Sequence, residues 1–120
     1  MPDLHELPSL TQIVIQFTNI NYIPSSALNG LLQLKELRLD NNKLTAVPPD
    51  LILQPTLTRL AWHNNPLVSV ATAPFSSLTL LGYLSLGGTN LTVIPDLSDL
   101  VALYEFDMSN TGLTYLRRYV

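Results

Sequence analysis

The sequence predicts a β-rich α/β solenoid, a right-handed superhelix whose strands form one curved parallel sheet of about five strands. Three observations predict it. The chain falls into register when a new line starts at Leu10, Leu34, Leu57, Leu81 and Leu103, with complete lines of 24, 23, 24 and 22 residues. Each line carries apolar residues at positions 1, 4, 6 and 11 and again at 14, with polar or small neighbours between most of them. Proline follows position 14 in three lines, as Pro24, Pro48 and Pro95.

Each part of the line has a physical reason. Positions 4 and 6 are Ile13 and Ile15, Leu37 and Leu39, Leu60 and Trp62, Leu84 and Leu86, then Phe106 and Met108. An alternation of period two is the mark of a strand with one buried face. Trp62 is therefore expected in the core. Positions 1, 11 and 14 bring further apolar groups inward from the loops. One such coil cannot bury its own apolar row, so neighbours stack and bury it jointly, which aligns their strands in parallel. The proline cannot continue the strand and steers the chain to the far side. There Leu28 and Leu31, Leu51 and Leu53, Phe75 and Leu78, and Leu97 and Leu100 are the expected inward anchors. The strand side is expected to be concave.

The lines LTQIVIQFTNI, LKELRLDNNKL, LTRLAWHNNPL, LGYLSLGGTNL and LYEFDMSNTGL resemble the leucine-rich repeat superfamily, typical 22–24-residue class with one shorter repeat, over essentially the whole chain. The resemblance implies a structural role for position 9, where an inward Asn hydrogen-bonds the loop backbones of adjacent coils. That column reads Thr18, Asn42, Asn65, Thr89 and Thr111. Threonine supplies part of the same bonding.

The 120 residues form one domain, in which residues 1–9 are the back half of a repeat and the line starting at Leu103 is truncated. Residues 2–10, PDLHELPSL, align without a gap on 95–103, PDLSDLVAL. Neither end reads as a cap. Phe106, Met108, Leu113 and Leu116 are expected to face outward at the C-terminal end. Two readings follow: a segment of a longer receptor or adaptor, or a subunit whose copies stack end to end into a filament.

Composition narrows the partners. Six Lys+Arg against nine Asp+Glu give a net charge of −3 and no basic stripe, which argues against nucleic acid. No apolar run is long enough to span a bilayer, so no membrane insertion is expected. Met1-Pro2-Asp3 opens no visible signal peptide. The absence of cysteine excludes disulfides and thiolate metal sites. One glycosylation sequon stands at Asn90-Leu91-Thr92, but about 1.5 such triplets arise by chance from nine Asn and twenty Ser+Thr. The Ile-Pro turns and Phe75 look like the extracellular class of these repeats, whereas the shorter fourth repeat resembles the class common inside cells. Localisation is left open, with a lean to the extracellular space or the cell surface.

Chemistry is not expected. His5 and His63 lie in different repeats with no metal-ligand spacing, Gly87-Gly88 lacks the pattern of a phosphate loop, and there is no GxSxG elbow and no serine with a nearby His and Asp in a pocket-forming context. The chain is read as a non-enzymatic scaffold without cofactors, whose sheet recognises a protein or peptide. Positions 3, 5, 7 and 8 should line that face. Within it Arg38, Arg59, His63, Tyr83, Phe17, Glu105 and Asp107 are the candidate ligand-binding residues. Tyr83 is expected as an exposed anchor beside a dip at Ser85, Gly87 and Gly88. Glu36 with Arg59, Asp40 with His63, and Arg38 between Glu36 and Asp40 are expected to neutralise one another as solvated pairs.

Overall fold

The computed structural model describes residues 7–24, 26–48, 51, 54–70 and 75–112. Five short strands run β1 (Gln12–Val14), β2 (Glu36–Arg38), β3 (Arg59–Ala61), β4 (Tyr83–Ser85) and β5 (Glu105–Asp107). They form a single parallel sheet in chain order. The register is strict, with Ile13 opposite Leu37, then Leu60, Leu84 and Phe106 in turn. Backbone bonds carry the ladder past each strand, from Ile15 N–H to the Arg38 carbonyl at 2.9 Å through to Leu86 N–H to the Asp107 carbonyl at 2.8 Å. A one-residue slip would turn every inward leucine to solvent, so the buried face fixes this register.

The core is a stack of leucines, with Leu37, Leu60 and Leu84 under the sheet and Leu34, Leu57 and Leu81 beside them. Trp62 and Phe75 are the largest of the fully buried side chains. On the far side, N–H to carbonyl bonds from residue i to i−3 join Leu31 to Leu28, Gln54 to Leu51, Leu78 to Phe75 and Leu100 to Leu97. Among the described residues this side contains turns and no α-helix. The three-residue spacing sets the anchors above one another, as in a 3₁₀ turn, and points them inward together. Gln54 is the polar member of the row. It is buried, and its Nε2 donates to the Leu28 carbonyl at 2.6 Å. The expected anchor Leu53 lies outside the described residues.

The position-9 column ties the coils together. Asn42 Nδ2 donates to the Ile15 and Leu39 carbonyls at 2.7 and 3.1 Å, and its Oδ1 accepts from the N–H and hydroxyl of Thr18. Asn65 Nδ2 donates to the Leu39 and Trp62 carbonyls at 3.0 and 2.9 Å, while Oδ1 accepts the Leu44 N–H at 3.0 Å. Thr89 makes one bond of this kind, from its hydroxyl to the Leu86 carbonyl at 2.7 Å. Thr111 is half-buried. The chain leaves the sheet through a left-handed residue at position 8: Phe17, Asn41, Asn64, Gly88 and Asn110 all have φ between 54° and 65°.

At the last strand, Phe106 and Met108 are partly buried and pack against the core. They are not bare apolar groups facing solvent, because the row beneath β4 reaches them. Leu113 and Leu116 lie outside the described residues.

Candidate functional site

Strand side chains that do not enter the core stand on the open face of the sheet, and adjacent strands bring them about 4.8 Å apart. Two polar ladders result. The first crosses β1 to β4 at position 3. Gln12 Nε2 donates to Glu36 Oε2 at 2.8 Å, and Arg59 Nε lies 3.5 Å from Glu36 Oε1. The Arg59 guanidinium then covers the Tyr83 ring, 4.0 Å from its centroid. Tyr83 is thus half-buried rather than an exposed anchor, since Arg59 occupies one side of its ring.

The second ladder spans all five repeats. Gln16 Nε2 and Asn41 Nδ2 donate to Asp40 Oδ2 at 2.7 and 2.8 Å, and His63 Nε2 stands 3.3 Å from the same oxygen. His63 Nδ1 lies 3.1 Å from Ser85 Oγ. Ser85 also stands near enough to Asp107 to favour its charged form slightly. Asp107 is held below the usual carboxylate range, first by the Ser109 hydroxyl and N–H, with smaller help from His63 and Ser85. The pair of Asp40 and His63 is not a solvated one, because Asp40 is only 1% exposed beneath Gln16 and His63.

Folding therefore assembles a serine, a histidine and an aspartate that are scattered in the sequence. The arrangement does not make a nucleophile. Ser85 is 1% exposed, so an acyl carbon cannot approach its hydroxyl, which is engaged with His63. No group of three or more His, Cys, Asp or Glu among the described residues could hold a metal ion.

The expected mutual neutralisation fails at one residue. Glu36 pairs with Gln12 and Arg59, and Asp40 with Gln16, Asn41 and His63, which leaves Arg38 outside both ladders. Its Nε is buried and has no hydrogen-bond partner among the described residues. Arg38 pairs in register with Val14, which is 46% exposed, and Phe17 beyond it is 75% exposed. At the other end Glu105 is exposed on β5. Asn90 is exposed on the loop flank beside a hollow lined by Asn42, Lys43, Asn64, Asn65, Pro66 and Gly88, and its N–H is bonded to the Leu67 carbonyl.

Asp40 stands beside His63 as its column neighbour predicts, whereas the contacts of Gln16 with Asp40 and of Ser85 with His63 were not among the expected pairs. Phe17 carries a readable signal: the other lines place Asn or Gly at its position.

Comparison with known proteins agrees with this architecture. The family model described as Leucine Rich Repeat matches residues 33–54. A leucine-rich repeat protein of Leptospira interrogans superposes with a TM-score of 0.84 at 27% identity, over 95% of this chain and 29% of that one. The chain is a member of the leucine-rich repeat superfamily. The leucine-rich repeat ectodomain of the receptor kinase SOBIR1 from Arabidopsis thaliana also superposes, with a TM-score of 0.70 and 27% identity, over 87% of this chain and 70% of that one. In sequence, the flightless-1 homolog of Caenorhabditis elegans is 34% identical over 93 residues, or 75% of this chain and 7% of that protein. The leucine-rich repeat-containing G-protein coupled receptor 5 of Xenopus tropicalis is 29% identical over 100 residues, or 82% of this chain and 11% of the receptor. The repeats described here thus span about a tenth of the length of these curated relatives. No helix among the described residues is long and apolar enough to cross a membrane.

Proposed function

We propose that this leucine-rich repeat chain is a non-enzymatic recognition scaffold, a segment of a larger receptor or adaptor, and that its open sheet face holds a protein or peptide partner. One observation supports this most: the two cross-strand ladders fix the polar side chains of the face before any partner arrives. A pre-organised surface loses little side-chain freedom on binding, so more of the contact energy appears as affinity. Arg59, Tyr83, His63 and Asp107 form the built floor of the face, while Phe17, Arg38 and Glu105 are the groups left for a partner. The likeness to a receptor ectodomain is in keeping with this reading.

The test compares the face with the flanks. Decapeptides enriched by display against the chain should lose affinity with at least one of the face substitutions Tyr83→Ala, Arg38→Gln and Glu105→Lys. They should tolerate Val68→Ser and Val93→Ser, which change exposed flank residues. Peptides that respond only to the flank substitutions contradict the proposal.

A further inference from the structure

We propose that the docking end of the face is its β1–β2 side, and that the occupant is a partner segment carrying a carboxylate beside an apolar side chain. The inference rests on the sheet face being the recognition surface and names where and what it binds. Three observations meet there.

The first is Phe17. It occupies the left-handed position that Asn41, Asn64, Gly88 and Asn110 fill in the other repeats, with φ 55°. Asn and Gly suit that backbone, whereas a bulky residue is strained in it. Its N–H is tied to the Asn41 carbonyl at 3.0 Å, so the ladder holds the conformation. The ring gains no burial in return, being 75% exposed. Strain held in place around an unburied aromatic ring points to a contact outside the chain. The second is Val14, an exposed aliphatic on the same coil where a sheet face is ordinarily polar.

The third is Arg38, directly opposite Val14. Its buried Nε has no hydrogen-bond partner among the described residues, and the side chain makes no ion pair among them. Glu36, by contrast, pairs with Arg59, and Asp40 meets His63 through Oδ2, its buried Oδ1 being unbonded among the described residues as well. Arg38 as a whole is only half-buried, so a carboxylate delivered beside the apolar contact would pair with the exposed part of its guanidinium in a charge-assisted bond. Charge along the face orients such a segment. Glu105 and Asp107 make the β5 end acidic, so an acidic group is favoured toward Arg38 and disfavoured at the other end.

The experiment pans a random decapeptide display library against the full 120-residue chain. Enriched peptides should carry Asp or Glu within about two positions of an aromatic or aliphatic residue, the reach across neighbouring strands. Their affinity should fall about tenfold or more with Arg38→Gln and with Phe17→Asn, and should weaken as salt is raised. Phe17→Asn should at the same time raise the melting temperature, a combination that a purely structural role does not give. Enrichment of basic peptides, or none above the starting library, overturns the inference. Binding that survives both substitutions but is lost with Tyr83→Ala or Glu105→Lys overturns it too, and leaves recognition by the sheet face standing. Binding indifferent to all four substitutions removes both. Dimerisation in the ultracentrifuge that Phe17→Asn abolishes would make the occupant a second copy and likewise overturn the peptide assignment.

Discussion

Replacing Asn65 with alanine isolates the bonds that tie one coil to the next. The side chain serves the Leu44 N–H and the Leu39 and Trp62 carbonyls, with a longer 3.4 Å contact to the His63 carbonyl. Two of these acceptors keep another donor after its loss. The Leu39 carbonyl keeps Asn42 Nδ2 at 3.1 Å, and the His63 carbonyl keeps the Asn41 N–H at 2.9 Å. The Leu44 N–H and the Trp62 carbonyl lose the partner they have among the described residues, and both residues are fully buried. A buried polar group left unpaired costs about 1–3 kcal/mol, so Asn65→Ala should cost roughly 2–6 kcal/mol. At about 4 °C per kcal/mol for a domain of this size, even the lower bound is a fall of about 8 °C in melting temperature. Thermal and urea denaturation followed by circular dichroism measure it. Thr89→Val gives the control, since it removes a single hydroxyl-to-carbonyl bond and should cost about 1 kcal/mol. An Asn65→Ala loss below about 1 kcal/mol, or one no larger than that of Thr89→Val, would refute the reasoning.

Three further outcomes follow from the same geometry. Asp107 binds its proton more weakly folded than unfolded, so it stabilises the fold above the ordinary carboxylate pKa near 3.9 and loses that contribution as pH falls through its lower folded value. The stability difference between the parent and Asp107→Asn, from urea titrations, should therefore be constant near neutral pH and shrink in acid; a difference that grows in acid reverses the sign. Trp62 is fully buried, so its fluorescence should be blue-shifted and resistant to acrylamide, and a red-shifted, readily quenched signal would place it outside the core. Gly88→Ala would put a methyl group onto Asn64 Oδ1 at a φ of 65°, and should cost about 1–2 kcal/mol in a denaturant titration.

The fold was legible because each coil repeats the same local problem. Leu37, Leu60 and Leu84 announce one buried strand face three times over, and in-phase leucines leave a parallel stack as the way to bury them. The turns of the far side were less legible, since three-residue spacing of Leu28, Leu31 and Leu34 is close to that of a helix and only the backbone bonds separate the two. The face was harder still. Which charges pair depends on side-chain reach across strands, and column neighbours alone do not decide it. Glu36 bonds Gln12 and Arg59, Asp40 turns to Gln16 and His63, and Arg38 is left over. Burial on the face is also relative. Ala61 and Ser85 sink because longer neighbours stand around them, and Tyr83 is covered because Arg59 reaches it. Phe17 stands out in its column from the sequence, but its meaning comes from the left-handed backbone that four other repeats meet with Asn or Gly.

The account turns on the sheet face, and on its β1–β2 end, as the place where a partner is held. Amide chemical-shift mapping by NMR, with an enriched acidic and apolar peptide titrated into the full chain, tests this most directly. The account predicts that the largest shifts gather on residues 12–17 and 36–41. Shifts centred instead on the flank around Val68 and Val93, or on the far side around Leu32 and Leu80, would contradict it.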